Sequence, residues 1–306
     1  MRNLLQLGIL LLLFVPVCAQ KVNLSLNLKK GETYKQVQDS KSTVTETING
    51  KTMNIGMSVH GKTTYLVQDL NDKYYMMEVN FRILNLEMDL PQGSVEFSST
   101  KYDTSDIVST LLSEMTNKPF YIKMTKRGKI DQVDGLDSLF YNIFKKFPQL
   151  SEVKKQQLKA QLMKAFGEKA MKGSIEMVTA VFPDGPVSKG DKWIIHTQLE
   201  SAMSAELVST FDYEGSKDST FIIHGDGKIQ TANKDAYIET NGMPIKYDLA
   251  GTMTSEITVD KNSGWIVDAK IDQEINGNAD IKDNPKMPGG LVIPMSIKTL
   301  MEIKDK

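Results

Sequence analysis

The chain contains only three histidines, His60, His196 and His224, and their spacing limits the chemistry the sequence offers. A local zinc pair needs histidines about three to five residues apart on one element, and none of these has such a neighbour. H-E-x-x-H is also absent, so a metal site would have to be assembled in space. Alternation puts His60 opposite the Met57–Val59 face, as expected of a solvated strand histidine, and His196 and His224 read the same way. Gly56-Met-Ser58-Val-His60-Gly61 comes close to a nucleophile elbow. An elbow exposes its serine on a sharp strand-to-helix turn, whereas Ser58 has strand pattern on both sides, so it is not expected to be a nucleophile.

Other chemistries find equally little. No G-x-G-x-x-G precedes a helical pattern and no P-loop is present, so nothing cradles a phosphate. His224-Gly-Asp-Gly-Lys228 reads as a hairpin turn. Asp260-Lys-Asn-Ser-Gly264 alternates acidic and amide oxygens as a calcium loop does, but it lacks the third ligand before the glycine and the distant glutamate. A turn is the better reading. Glu87 with Asp89, and Asp268 with Asp272, share strand faces, but solubilising faces carry such pairs too. With 8% aromatic residues and two tryptophans, no sugar-stacking platform stands out. The sequence therefore predicts a non-enzymatic protein without cofactor or metal.

The 17 methionines are the best remaining lead. Met53, Met57, Met77 and Met253 share apolar strand faces with Ile, Val, Leu and Phe81. Flexible thioethers suit an adaptable surface for varied apolar ligands, and they also fill irregular gaps where a sheet meets helices. On the first reading, Met53, Met57, Met77, Phe81 and Met253 form a candidate apolar ligand-binding face.

The elements that would position this face follow from the pattern. At 306 residues the chain can bury a substantial core. The opening, MRNLLQLGILLLLFVPVCAQ, has one early positive charge, an apolar run from Leu4 to Val17 and small residues before Gln20. This is a secretory signal peptide over residues 1–19, with cleavage expected between Ala19 and Gln20. Cys18, the only cysteine, allows lipidation as an alternative, although Val17 and Pro16 are a poor fit before an acylated cysteine. No later stretch is long and apolar enough for a membrane span. The charge is −1, from 37 basic and 38 acidic residues. They are interspersed, so neither nucleic acid nor anionic lipid is an expected partner.

Alternation predicts strands at Val22–Leu28, from Thr33 into Thr47, through Met53–Val67, and over Met77–Ile83. Asn49-Gly50 marks a type I′ hairpin. Helical spacing follows at Ile107–Met115, with Thr104 and Ser105 as capping candidates, then at Leu139–Phe147, Ser151–Phe166 and Ala170–Val181. A small hairpin, Phe120–Thr125 with Lys129–Val133, interrupts the helices. Strands return at Trp193–Leu199, Glu206–Tyr213, Thr220–Ile229, Tyr247–Val259, Trp265–Ile271 and Leu291–Ile303. Pro294 argues for an edge or a bulge in the last of these. LKKGETYKQ (Leu28–Gln36) and VSKGDKWII (Val187–Ile195) open the two β-runs with one pattern. An internal duplication would explain this, as would the general use of Gly-acid-x-aromatic at turn-to-strand junctions.

The exported start, the GETYK opening, the middle helices and the VFPDGPVSKGDKW junction resemble a family of uncharacterised secreted bacterial proteins, a domain of unknown function. The resemblance runs over essentially the whole mature chain. It implies export and a β-rich build, and carries across no functional residues. At longer range the plan is similar to periplasmic lipoprotein-carrier folds, whose concave sheet holds acyl chains.

The expected fold is α+β. N- and C-terminal β-runs (20–100 and 183–306) form one long curved antiparallel sheet or half-barrel, with a four-helix segment (101–182) packed on it. The expected function is an exported protein that binds an apolar ligand or acyl chain between sheet and helices. The alternative is a structural or protein-interaction module of the cell envelope with no small-molecule ligand.

Overall fold

The computed structural model describes residues 21–101, 106–200, 203–240 and 242–306. The proposed signal peptide, Cys18, the Ala19–Gln20 cleavage point, and Thr104 and Ser105 lie outside the described residues.

The chain begins with β1 (Thr33–Ile48), β2 (Lys51–Leu70), β3 (Tyr74–Leu90) and β4 (Gly93–Ser98). Helix α1 (Ile107–Met115) leads to β5 (Phe120–Thr125) and β6 (Ile130–Asp134), and then come α2 (Leu136–Phe144), α3 (Glu152–Phe166) and α4 (Glu168–Thr179). The second β-run is β7 (Lys192–Glu200), β8 (Ser204–Lys217), β9 (Thr220–Thr231), β10 (Ile238–Thr240), β11 (Met243–Asp260), β12 (Ile266–Ile281) and β13 (Leu291–Lys304). All pairings are antiparallel. The main path runs β6-β5-β3-β2-β1-β13-β12-β11-β9-β8-β7, with β4 on β3 and β10 on β11. The two β-runs thus join at β1 and β13, and one apolar core draws on both runs and on the helices between them.

The sheet is open, with no ladder joining its edge strands β6 and β7. Helix α4 lies against both. On the β7 side, a Cβ on Gly173 would lie 2.5 Å from the Gln198 carbonyl, so helix and strand backbones meet closely there. On the β6 side, Glu176 accepts the Ile130 N–H at 2.7 Å, and the Thr179 hydroxyl donates to the Gly128 carbonyl at 2.7 Å. Trp193 Nε1–H, from β7, donates to the Val181 carbonyl just past the helix, and Lys129 Nζ reaches the β7 carbonyl of His196 at 3.1 Å. Edge groups that would otherwise need another strand are thus met by side chains, the Ile130 N–H by Glu176 of α4 and the His196 carbonyl by Lys129 of the β5–β6 turn.

A four-helix segment roofing the sheet is not supported. The β5–β6 hairpin separates α1 from the later helices and continues the main sheet from β3. Only α4 and α1 pack directly on strands to any extent, and α3 rests on α4 and α2. Among the fifteen residues of α3 only Leu158 is buried, because lysine, glutamine and glutamate fill eight of its positions.

Local departures from the sequence pattern have identifiable causes. Val22–Leu28 forms no strand ladder. Val22 makes one isolated bridge to Val187, and the segment then bonds to two hairpin turns. The N–H groups of Leu26 and Asn27 donate to the carbonyls of Lys126 and Ser263. Leu24, Leu26 and Leu28 are buried by this crossing, and the hydroxyl of buried Tyr75 accepts from Leu28 N–H and donates to the Leu26 carbonyl, both at 3.0 Å. In β3 a bulge opposite Lys62 and Thr63 breaks the alternation, so that Leu84 rather than Ile83 succeeds Phe81 on the inner face. His224–Lys228 is no turn but the middle of β9. Gly225 and Gly227 sit there because Phe211 and Leu207 of β8 fill the space their side chains would take. Pro294 is not in an edge strand, since β13 pairs on both sides. It stands opposite Asn278 of β12 but just past the last β1 partner, Met295, so on the β1 side no ladder needs its missing N–H.

The two matching strand openings fold alike. Gly31 (φ 83°) and Gly190 (φ 87°) both adopt left-handed backbone. Gly31 N–H donates to Val67 O and the N–H of Val67 returns to Glu32 O, while Gly190 and Asp191 make the same reciprocal pair with Tyr213.

Candidate functional site

The candidate site lies between β2–β3 and the helices. Register brings Met57 opposite Met88, Val59 opposite Leu86 and Gly61 opposite Leu84, so these side chains form the inner face before the bulge. Helix α1 supplies Val108, Leu111 and Leu112. Its N-cap Asp106 accepts from Ser109 N–H, and the Ser109 hydroxyl accepts from Ser98 N–H, which docks the helix on β4. Helix α3 supplies Leu158, Leu162 and Phe166. Because α3 rests on neighbouring helices, a space of about 330 Å³ remains between it and the strands. Its only polar lining residues are Asn85 and Gln161.

A second chamber of about 170 Å³ adjoins this space and shares Val59, Leu84, Ala165 and Phe166 with it. Its β1–β2 side carries the uncharged polar residues Gln36, Gln38, Thr63 and Tyr65, and α4 adds Ser174. Phe166 meets Phe81 edge-on, with centroids 6.0 Å apart. Tyr65 is wholly buried, which pushes its phenol pKa well above the ordinary value, and its hydroxyl donates to Gln36 Oε1 at 3.1 Å. Trp265 packs tilted against Tyr34 and edge-on against Tyr65 and donates to the Lys35 carbonyl, fixing this end of β1.

A carboxylate anchors the helical side. Glu114 of α1 receives Lys118 from its own C-terminal flank and Lys146 from beyond α2, the latter at 2.7 Å. Burial alone would raise the Glu114 pKa, but these two lysines outweigh it and hold the carboxyl below its usual value.

Of the five residues on the proposed ligand face, two line the chambers. Met57, 37% exposed, lies at the outer one and Phe81 at the inner one. Met77 is fully buried core. Met253 is also buried and accepts from the Gln273 amide at 3.5 Å, and Met53 is half-buried and lines neither chamber. Sequence alternation missed the helical half of the site, Leu111, Leu112, Leu158, Leu162 and Phe166. Their apolar spacing was visible, but not the face of the sheet they oppose.

The histidines do not gather. His60 pairs with Asp39 at 2.7 Å, His196 with Glu206 at 3.5 Å and His224 with Asp212 at 3.4 Å, each on the outer sheet surface. His60, Asp39, Lys41, Ser58, Glu87 and Glu96 border an outer groove of about 400 Å³. It is larger than the inner space but open and solvent-facing, where an ion pair contributes little. Among the described residues no group of three or more His, Cys, Asp or Glu could hold a metal ion. Asp260 accepts from Asn262 and Ser263 within its own turn. Among the described residues no helix is long and apolar enough to cross a membrane.

No curated protein sequence matches the chain. Among solved structures it is similar to an outer membrane channel from Pseudomonas putida F1, at 8% identity and a TM-score of 0.28, covering 91% of this chain and 97% of the channel. A family model described as a family of unknown function, DUF6263, matches residues 72–266, from the end of β2 through the helices to the start of β12. The chain therefore belongs to the DUF6263 family.

Proposed function

We propose that this is an exported, non-enzymatic protein that binds an apolar ligand or acyl chain between the sheet and the helices. The observation that carries this reading is the space of about 330 Å³ bordered by Met57, Val59, Leu84 and Leu86 on one side and by leucines of α1 and α3 on the other. Its size falls at the low end of the roughly 300–1,000 Å³ typical of small-molecule pockets, and its lining is almost wholly apolar. Helix α3 supports the reading as well, since its apolar side chains Leu158, Leu162 and Phe166 all line this space. Export is part of the proposal and rests on the pattern of Met1–Gln20.

The test is direct. Protein purified from its host compartment is extracted with organic solvent and the extract analysed by mass spectrometry, while the delipidated protein is titrated with a fluorescent fatty acid. Recovered lipid and saturable binding are expected. An empty extract together with absent binding would end the proposal.

A further inference from the structure

The two adjoining chambers differ in chemistry, and the difference specifies a ligand class. We infer that the ligand is a neutral amphiphile, whose tail occupies the outer chamber and whose uncharged, hydrogen-bond-accepting head is held by Gln36 in the inner one. This rests on the binding reading proposed above and goes beyond it by naming the head group.

The argument begins with Gln36. Register places it on the inner face of β1, opposite Thr63 of β2. Its Oε1 is engaged by the Tyr65 hydroxyl. Its Nε2 is buried and has no hydrogen-bond acceptor among the described residues. A buried amide donor without an acceptor is costly, and a ligand carbonyl or ether oxygen would satisfy it. Gln38, Thr63 and Ser174 add further uncharged polar groups.

Charge is the second consideration. Neither chamber is lined by a lysine, arginine or histidine, nor by a carboxylate. An ionised head entering here would lose its hydration with no opposite charge to replace it. Burial keeps the Tyr65 phenol protonated, so it contributes no compensating charge either. An ester, amide or alcohol head fits these walls better than a carboxylate or quaternary amine, which would bind more weakly. The shared Phe166 and Val59 mark where the tail would meet the head.

The experiment uses the delipidated protein with N-phenyl-1-naphthylamine as the apolar reporter. Displacement is measured for monodecanoylglycerol, for decanoate at pH 8 and for dodecane. The glycerol ester should displace the reporter at concentrations about tenfold below those of the other two, the factor expected for one satisfied buried hydrogen bond. Gln36→Leu should remove that advantage, bringing the glycerol ester to the same displacement concentration as the other two compounds. Gln36→Met serves the same purpose should the leucine variant fold poorly by circular dichroism. Equal displacement by all three compounds, or an ester advantage that survives both substitutions, overturns the inference and leaves the carrier proposal standing. Failure of the reporter and of every competitor to bind overturns both.

Discussion

Glu176 on α4 accepts the backbone N–H of Ile130 on β6 at 2.7 Å, although the glutamate is buried on a helix and the amide belongs to a sheet edge. A side chain here stands where the carbonyl of a next strand would. Replacing Glu176 with Ala leaves that N–H buried and unsatisfied, at a cost of about 1–3 kcal/mol. Thermal melting should show a lower midpoint and amide exchange at Ile130 should accelerate, whereas Glu176→Gln keeps an acceptor and most of the stability. Unchanged exchange at Ile130 in the alanine variant would show that α4 does not secure this edge.

The outer chamber can be filled without touching its polar neighbour. Leu162 is half-buried on α3 and lines only the outer space. Leu162→Trp should cut the binding of a fluorescent fatty acid by at least about tenfold. The far-ultraviolet circular dichroism spectrum should stay that of the parent, because the indole enters space that is already empty. Undiminished binding would place the ligand elsewhere.

Gly225 is a packing requirement. A Cβ added there would come within 2.6 Å of both the Phe211 ring and the Ser255 hydroxyl. Gly225→Val therefore overpacks the contact between β8, β9 and β11, at a cost of about 1–3 kcal/mol or more. A lower urea midpoint is the expected outcome.

The N-terminal crossing depends on one hydroxyl. Tyr75→Phe keeps the ring but strands the Leu28 N–H and removes the donor to the Leu26 carbonyl. The loss should be about 1–3 kcal/mol, and it should be local. Brief proteolysis should cut residues 21–32 faster in the variant, with the strands still protected.

Glu114 makes the helical cover sensitive to acid. Its folded pKa lies below the unfolded value of about 4.3, so its stabilisation is present above that pH and is lost as pH falls through the folded pKa. The difference in urea midpoint between the parent and Glu114→Gln should be largest near neutral pH and should shrink to nothing in strong acid. A difference that stays constant across this range would refute the lysine clamp.

Much of this architecture is legible in the sequence because strand alternation is a local signal. The Asn49-Gly50 turn, with φ of 50° and 75°, and the long β1–β2 pair follow directly from it. What is not legible depends on partners distant in sequence. Gly225 and Gly227 look like a turn until Phe211 and Leu207 are placed beside them. Val22–Leu28 alternates like a strand, yet its backbone partners are scattered turns. Glu176 and Thr179 interrupt an apolar helix stripe for no local reason, and only the edge of β6 explains them. For the site, the methionine pattern led to Met57, and with Phe81 it gave one wall. The opposite wall, and the orphaned amide of Gln36, required the helices to be positioned first.

The pairing of β1 with β13 bears on how the molecule is made. Val37–Glu46 lies against Met295–Lys304, so the two halves of the sheet are joined by segments from opposite ends of the chain. A growing polypeptide carries β1 with one side unpaired until Leu291–Lys304 emerges. Such distant closure is slow to nucleate and leaves a long edge available for wrong partners in the meantime. Biogenesis of this protein therefore has a built-in waiting period, during which a holding factor or an unfolded passage would protect it from self-association.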